Sequence, residues 1–216
     1  FLCLDLTRRV FSDTIQYEPR PAARKESAPD GAQKGTDSTM TSFSELAAAR
    51  ESCRSFSDRP VTDQQLRSLI QTAAIAPSAC NSQPWQFIAV NGGELARAVA
   101  KSAQGMGMNK FTDQAPAFIA VAEEPANLLS KVGGKLKDQQ FAQIDIGIAV
   151  AHLCLQATDI GLSTCILGWF NEKKLAELLG VPPSKRIRLL IAVGYAATDA
   201  LRPKKRKPFD EIARFV

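Results

Sequence analysis

The stretch "PSACNSQPWQF", Pro77 to Phe87, joins a predicted helix to a predicted strand and carries more polar groups than a turn needs. A plain turn is set by Gly, Asn, Asp or Pro alone. Here two prolines and a tryptophan surround two serines and the amides of Asn81 and Gln83. One interpretation is a loop that hydrogen-bonds a flat heteroaromatic ligand. The other is a capped helix terminus followed by a core tryptophan.

Helices and strands alternate irregularly on either side of this loop. Thr62 and Gln65 form a capping box before apolar residues at helical spacing, which predicts a helix within 60–77. No G-x-G-x-x-G follows a strand, so a Rossmann module is not supported. Further helices are predicted over 42–50, 93–103, 139–161 and 171–180, and strands over 85–90, 115–124, 162–170 and 187–196.

The segment 139–161, "QQFAQIDIGIAVAHLCLQATDIG", is apolar on most faces. A helix of this kind is buried in a core or in a subunit interface. No run of 18 or more apolar residues occurs, so no membrane-spanning segment is expected.

Composition divides the chain into two parts. Residues 1–39 are rich in Pro, Gly and charge and show no apolar period, which predicts a disordered or non-native leader before a domain at 40–216. The chain is 45% hydrophobic and 23% charged, typical of an ordinary folded domain. The net charge of +5 lies mostly in the last sixteen residues, whose net charge is +4, so a general nucleic-acid surface is not expected.

The cysteines and the histidine exclude several classes of site. Five cysteines without a C-x-x-C pair indicate reduced thiols and a cytoplasmic protein. The single histidine, His152, has no neighbouring Cys or His, which argues against a zinc site, and no G-x-S-x-G elbow supports a hydrolase. We therefore expect no metal and no catalytic role for His152.

Three other motifs suggest a ligand. In "RESCRSF" (50–56), Arg50, Ser52 and Arg54 alternate and share one side of an extended segment, which suits a phosphate. Gly168 in "ILGWF" suggests a close approach of backbone to a ligand or to another chain. The tail "RPKKRKPF" either completes a phosphate site or is a solvated or nucleic-acid-binding charge run.

Taken together and in this order, R-x-S-x-R, "PSACNSQPW", a long apolar helix, Leu-Gly and a basic C-terminal pair resemble the nitroreductase family over nearly all of residues 42–216. The resemblance implies an α+β fold with a central, mostly antiparallel mixed sheet flanked by helices. It also implies an intertwined homodimer with a long central interface helix and a C-terminal extension. FMN is the implied cofactor, and NADH or NADPH is the implied co-substrate.

The resemblance also assigns residues. Arg50 and Ser52 match positions that hold the FMN phosphate and ribityl chain, and Arg54 matches a basic position beside the flavin pyrimidine. The segment with Ser78, Ala79, Asn81 and Gln83 matches one that reaches the flavin bound mainly by the other subunit. The remaining matches are Asn109 at the isoalloxazine edge, Leu167 and Gly168 near flavin N5, and Lys204 and Arg206 at the phosphate.

The implied reaction transfers hydride from NAD(P)H through flavin N5 to small electron-poor acceptors such as nitroaromatics or quinones, with no catalytic side chain. The alternatives within the fold are a reductive dehalogenase or an azoline oxidase, for which 104–114 or 125–138 would serve as a lid. Outside it, the alternative is a non-enzymatic flavin- or nucleic-acid-binding module.

Overall fold

The computed structural model describes residues 42–125 and 140–216. The expected leader at 1–39 and most of the second lid segment lie outside them. Within the described ranges the helices are α1 (Phe43–Ala49), α2 (Asp63–Ala74), α3 (Gly93–Ser102), α4 (Phe141–Asp159), α5 (Glu172–Leu179) and α6 (Phe209–Ile212). The strands are β1 (Trp85–Asn91), β2 (Ala117–Glu123), β3 (Ser163–Leu167) and β4 (Ile187–Gly194).

Local capping explains where the first helices begin. The Ser42 hydroxyl accepts from the Glu45 N–H and the Glu45 carboxylate accepts from the Ser42 N–H, which caps α1. The same reciprocal pair, Thr62 with Gln65, caps α2. The predicted capping box is therefore confirmed, although α2 ends at Ala74, before Pro77.

The four strands form one antiparallel sheet in the order β1-β2-β4-β3. β2 lies in its interior and is buried over its whole length except at Glu123. The segment after α1 adds a parallel bridge between Ser52 and Thr164 at the β3 edge. The predicted α+β fold with a mostly antiparallel mixed sheet is confirmed.

Two apolar cores cover the two faces of the sheet. Alternate residues of β2 and β4 point to opposite faces, as the pleat requires. Phe118 and Leu190 face a core completed by α3 and α5, whereas Ile119 and Ile191 face one completed by α2 and α4. Trp85, at the start of β1, is 9% exposed and belongs to the α2–α4 core, so the loop that precedes it is anchored there.

Helix α4 is buried on one side only. It is long and apolar enough to span a membrane by length and composition, but it packs on the sheet as a core helix. Its outer side also carries apolar residues, among them Ile144 and Ala151, and these are exposed. The prediction of a helix apolar on most faces is confirmed, and α1 lies beside this second apolar face without burying it.

The third strand is shorter than predicted. It ends at Leu167, and Gly168, Trp169 and Phe170 follow it outside the ladder. The Leu167–Leu190 pair is the last in the β3–β4 register. The backbone of Gly168 is consequently free of sheet pairing at the point where the sequence predicted a close approach.

Candidate functional site

The basic segment after α1 is held against β3 and β4. The Cys53 N–H donates to the Thr164 carbonyl at 2.9 Å, and Phe56 pairs with Ala196 beyond the end of β4. Gly194 makes this possible, since a Cβ there would lie 2.8 Å from the Phe56 ring. Arg50, Ser52 and Arg54 thus follow an extended, anchored path along the edge of the sheet.

The C-terminal tail returns to the same place. The Lys204 ammonium donates to the carbonyl oxygens of Ala47 and Ala48 at the end of α1, next to Arg50. Cations are stabilised at helix C-termini by the unpaired carbonyls there. The structure therefore places Lys204 at the end of α1, immediately before the segment with Arg50 and Ser52.

Arg202, which the sequence analysis did not assign, fastens the tail to this segment. It donates to the Glu51 carboxylate at 3.3 Å and to the Ser52 carbonyl. The only indication of Arg202 in the sequence was its position in the basic run at 202–207. Arg206 is exposed and contacts the Lys205 carbonyl, so the structure does not bring it to Arg50.

Arg50 has no anionic partner among residues 42–125 and 140–216. The residue is half-buried, whereas Arg186, Arg188 and Arg202 all pair with carboxylates. A partly buried cation without a counter-charge is unfavourable unless a ligand supplies one. Arg50 is therefore a candidate position for an anionic ligand.

Asn109 and Gly168 lie at the other end of the same edge. The Asn109 side-chain amide donates at 3.1 Å to the carbonyls of both Ala103 and Trp169, so it ties α3 to the segment after β3. Both of its N–H groups are used, which leaves Oδ1 as an acceptor. A Cβ on Gly168 would meet nothing within 4 Å, so the space beside this backbone is open.

The loop containing Ser78, Ala79, Asn81 and Gln83 lies at the opposite edge. It precedes β1, whose start is at the same end of the sheet as the end of β3, but β1 and β3 are the two edge strands. Three strand spacings separate them, about 14 Å. The strand that follows this loop is thus at the edge of the sheet opposite to the one that carries Arg50 and Gly168.

This loop has an unusual backbone. Cys80, Asn81 and Gln83 have φ of 52°, 49° and 46°, in the left-handed region that costs non-glycine residues about 1 kcal/mol each. Besides backbone bonds such as Asn81 N–H to the Ser78 carbonyl, two bonds to side chains hold it: Gln83 N–H donates to Ser78 Oγ at 3.0 Å, and Ala79 N–H donates to Asp145 Oδ2 at 3.1 Å. Asp145 was not predicted as a site residue, although an acid between the apolar residues Ile144 and Ile146 could have indicated it.

Inside the loop, the amides expected to face a ligand bind each other in the single chain. Gln83 Nε2 donates to Asn81 Oδ1 at 3.1 Å, so the Asn81 Nδ2 donors and the Gln83 Oε1 acceptor remain for other partners. The Ser78 hydroxyl oxygen accepts from Gln83 N–H, and its O–H remains able to donate. The loop therefore offers fewer side-chain groups than the sequence suggested.

Three thiols are buried in the two cores: Cys53 and Cys165 in the α3–α5 core, and Cys154 in the α2–α4 core. Burial raises the pKa of Cys53, Cys154 and Cys165, which keeps these thiols protonated and poorly nucleophilic. In the part of the chain that the structure describes, no three His, Cys, Asp or Glu residues are placed to hold a metal ion.

The buried thiols give a reactivity prediction. In a Cys3→Ser/Cys80→Ser variant, we expect almost no labelling by a thiol reagent at pH 8 until the protein is unfolded, when three thiols should react. The pKa values of these thiols are raised in the folded protein. The thiols therefore contribute their full stabilisation below about pH 8.5, and this stabilisation is lost as the pH rises through their pKa values in the folded state. Rapid labelling of the native variant would contradict the burial of these thiols.

Comparison with known proteins assigns the fold and then the family. The chain is similar to a solved nitroreductase family protein from Streptococcus pneumoniae, with a TM-score of 0.67 and 29% identity over 81% of this chain and 100% of that one. Residues 47–195 match the Nitroreductase family. The chain belongs to this family, whose members are in general flavin-binding oxidoreductases.

Two curated relatives differ in their names. The chain is 31% identical to a putative NADH dehydrogenase/NAD(P)H nitroreductase from Archaeoglobus fulgidus, over 75% of this chain and 86% of the relative. It is 28% identical to iodotyrosine deiodinase 1 from Pongo abelii, over 79% of this chain and 67% of the relative. The family is thus established, while the relatives' names point to two kinds of acceptor.

Proposed function

We propose that this protein is an FMN-dependent oxidoreductase that takes hydride from NADH or NADPH and reduces small electron-poor acceptors such as nitroaromatics and quinones. The observation that carries the proposal is Arg50, a half-buried residue that has no carboxylate partner among the described residues and directly follows the end of α1, where Lys204 binds the Ala47 and Ala48 carbonyls. Two cations at this position suit a phosphate dianion, since guanidinium and ammonium groups form charge-assisted hydrogen bonds to it.

The rest of the edge suits the other parts of FMN. Asn109 Oδ1 offers an acceptor for the N–H of a pyrimidine edge, and the open space at Gly168 leaves room for a ring system beside the backbone. Arg54, exposed on the same segment, supplies positive charge near that ring. When bound, FMN would supply the atom that accepts and donates hydride, N5.

The residues of the chain then have binding and orienting roles. Arg50, Ser52 and Lys204 hold the phosphate end, Asn109 and Leu167–Gly168 orient the ring, and Arg54 balances negative charge on it. Burial keeps the nearby thiols protonated, so the chemistry assigns no nucleophile to them. This division of labour, with binding by the protein and electron transfer by the cofactor, is general for flavoproteins.

We also propose that the active form is a homodimer. The Ser78–Gln83 loop precedes β1, which is separated from the β3 edge of its own chain by three strand spacings, about 14 Å. A second copy would bring its own loop to that edge and complete the ring site. The exposed apolar face of α4, together with Phe43 and Leu46 of α1, forms a groove of about 580 Å³ that suits such a contact.

The test is an anaerobic visible spectrum of the purified protein before and after addition of NADH or NADPH. We expect the absorption bands of oxidised flavin, and we expect one nucleotide to bleach them. Re-oxidation by a nitroaromatic or a quinone would establish the acceptor class. A colourless protein that takes up no added FMN would refute the proposal, and a flavin that neither nucleotide reduces would refute the assigned donor.

A second candidate function is reductive dehalogenation, which the similarity to iodotyrosine deiodinase 1 favours. The same reduced protein separates the two functions. Re-oxidation by an iodinated phenol with release of iodide, and not by a nitroaromatic, would select the dehalogenase.

A further inference from the structure

Asp145 is a buried acid for which the proposed cofactor site has no use. It is 4% exposed and lies in α4 between Ile144 and Ile146. Among the described residues no lysine or arginine forms an ion pair with it. A buried carboxylate without a cation is unfavourable compared with an apolar side chain of similar size. The burial of Asp145 is therefore to be explained by the group that its carboxylate binds.

The partner of Asp145 is the backbone of the Ser78–Gln83 loop. Its Oδ2 atom accepts from Ala79 N–H at 3.1 Å, at the start of a single 3₁₀ turn. The bond from Gln83 N–H to Ser78 Oγ closes the loop on itself but does not attach it to another element. Asp145 attaches it to α4.

Helix α4 carries both this attachment and the exposed apolar groove. Ile148, Ala151 and Leu155 line the groove one to three turns after Asp145. A helix is stiff over this length, so the position of the loop is fixed relative to the surface on which a second copy would dock. Asp145 faces the core and is in neither the groove nor the Arg50 edge.

We propose that Asp145 is a positioning residue of the cofactor site, which acts through Ala79. It fixes the Ser78–Gln83 loop to the interface helix, so that Asn81 is presented to the FMN bound by the other copy. This inference rests on the proposed function. It differs from it in assigning a role to a residue that does not touch the cofactor.

The test compares three α4 variants. Asp145→Ala removes the acceptor, Asp145→Asn keeps an oxygen that accepts from Ala79 N–H, and Val150→Ala truncates a buried core residue of the same helix that is remote from the loop. FMN dissociation constants and urea unfolding of the apoprotein are measured for each. We expect a roughly 10- to 100-fold rise in Kd for Asp145→Ala and less than about threefold for Asp145→Asn.

Val150→Ala separates positioning from general destabilisation. It is expected to lower the urea midpoint and leave the FMN Kd within about threefold of the parent. Asp145→Ala with an unchanged Kd would overturn the inference. So would Val150→Ala with a Kd rise equal to that of Asp145→Ala at equal loss of stability.

A variant on the other side of the bond keeps the inference testable if Asp145→Ala does not fold. Ala79→Pro removes the donor, and the site accepts proline because Ser78 is extended (φ −145°, ψ 153°) and Ala79 begins the turn. We expect a Kd rise similar to that of Asp145→Ala. The Kd of the Asp145→Ala/Ala79→Pro double variant should stay within about threefold of that of the weaker-binding single variant. Additive losses, or unchanged affinity in Ala79→Pro, would overturn the inference.

The parent protein distinguishes failure of the inference from failure of the proposed function. A parent that binds no FMN would refute both. A parent that binds FMN, with variants that bind it equally well, would refute only the role of Asp145.

Discussion

Arg50→Ala is expected to raise the FMN dissociation constant by roughly 30- to 150-fold, which corresponds to about 2–3 kcal/mol for hydrogen bonds to a charged group. Arg50 is half-buried, has no ion pair within the described residues and directly follows the end of α1, where Lys204 binds. Removing it leaves Lys204 alone against the phosphate, and an ammonium lacks the planar fork that binds two oxygens at once. Flavin titration followed by fluorescence measures the change directly.

Two controls separate loss of the site from loss of the fold. Arg67→Ala removes an exposed arginine of α2 that is remote from the edge and should leave the Kd unchanged. Arg50→Lys keeps the charge without the fork and should fall between the parent and Arg50→Ala. Stoichiometric, tightly bound FMN in Arg50→Ala would remove Arg50 from the phosphate site, whatever the remaining activity.

The predictable part of the fold was local. Reciprocal caps at Ser42–Glu45 and Thr62–Gln65 begin the first two helices, because each pair satisfies backbone N–H groups within four residues. Asn171 and Gly180 bound α5 for the same kind of reason. The sheet order β1-β2-β4-β3 was not read from any residue pattern, since strand pairing depends on contacts far apart in sequence.

The predictable part of the site was the set of residue types with a shared chemistry. Lys204 lies at the end of α1, just before Arg50 and Ser52, because the tail returns there. Arg202 and Asp145 were missed, since each acts on backbone groups of a segment distant in sequence. These partners are the Ser52 carbonyl and the Ala79 N–H. Such backbone groups occur at almost every residue, so the sequence does not show which of them a distant side chain binds.

Strand β3 is shorter than its sequence pattern predicted. The pattern "LSTCILGWF" predicted nine residues of strand, and the ladder holds five, Ser163 to Leu167. Trp169 offers its carbonyl to Asn109 instead of to a neighbouring strand. Leaving the sheet at Gly168 opens the backbone on one side, which a continued strand would not do.

The apolar face of α4 is the feature that the single chain leaves unexplained. The groove places Phe43 and Leu46 of α1 beside Ile148, Ala151 and Leu155 of α4. Phe43 is 71% exposed and Ala151 is also exposed in the isolated chain. Contiguous exposed apolar surface marks a contact site, and in a twofold dimer the same patch meets its own copy.

Ala151→Glu is therefore expected to abolish the dimer and, with it, FMN binding. Because Ala151 is exposed, a glutamate there is tolerated by the folded monomer, but in the dimer each copy buries an unpaired carboxylate at a cost of about 3 kcal/mol. By symmetry the cost is counted twice, so the dimer dissociation constant should rise more than about 1,000-fold.

Gln64→Glu adds the same charge at an exposed position near the start of α2, outside the groove, and should change neither dimerisation nor FMN binding. Sedimentation velocity and flavin content, measured on the same samples, check the prediction. A monomeric Ala151→Glu protein that keeps its FMN would show that one chain completes the site, and a dimeric one would place the interface elsewhere.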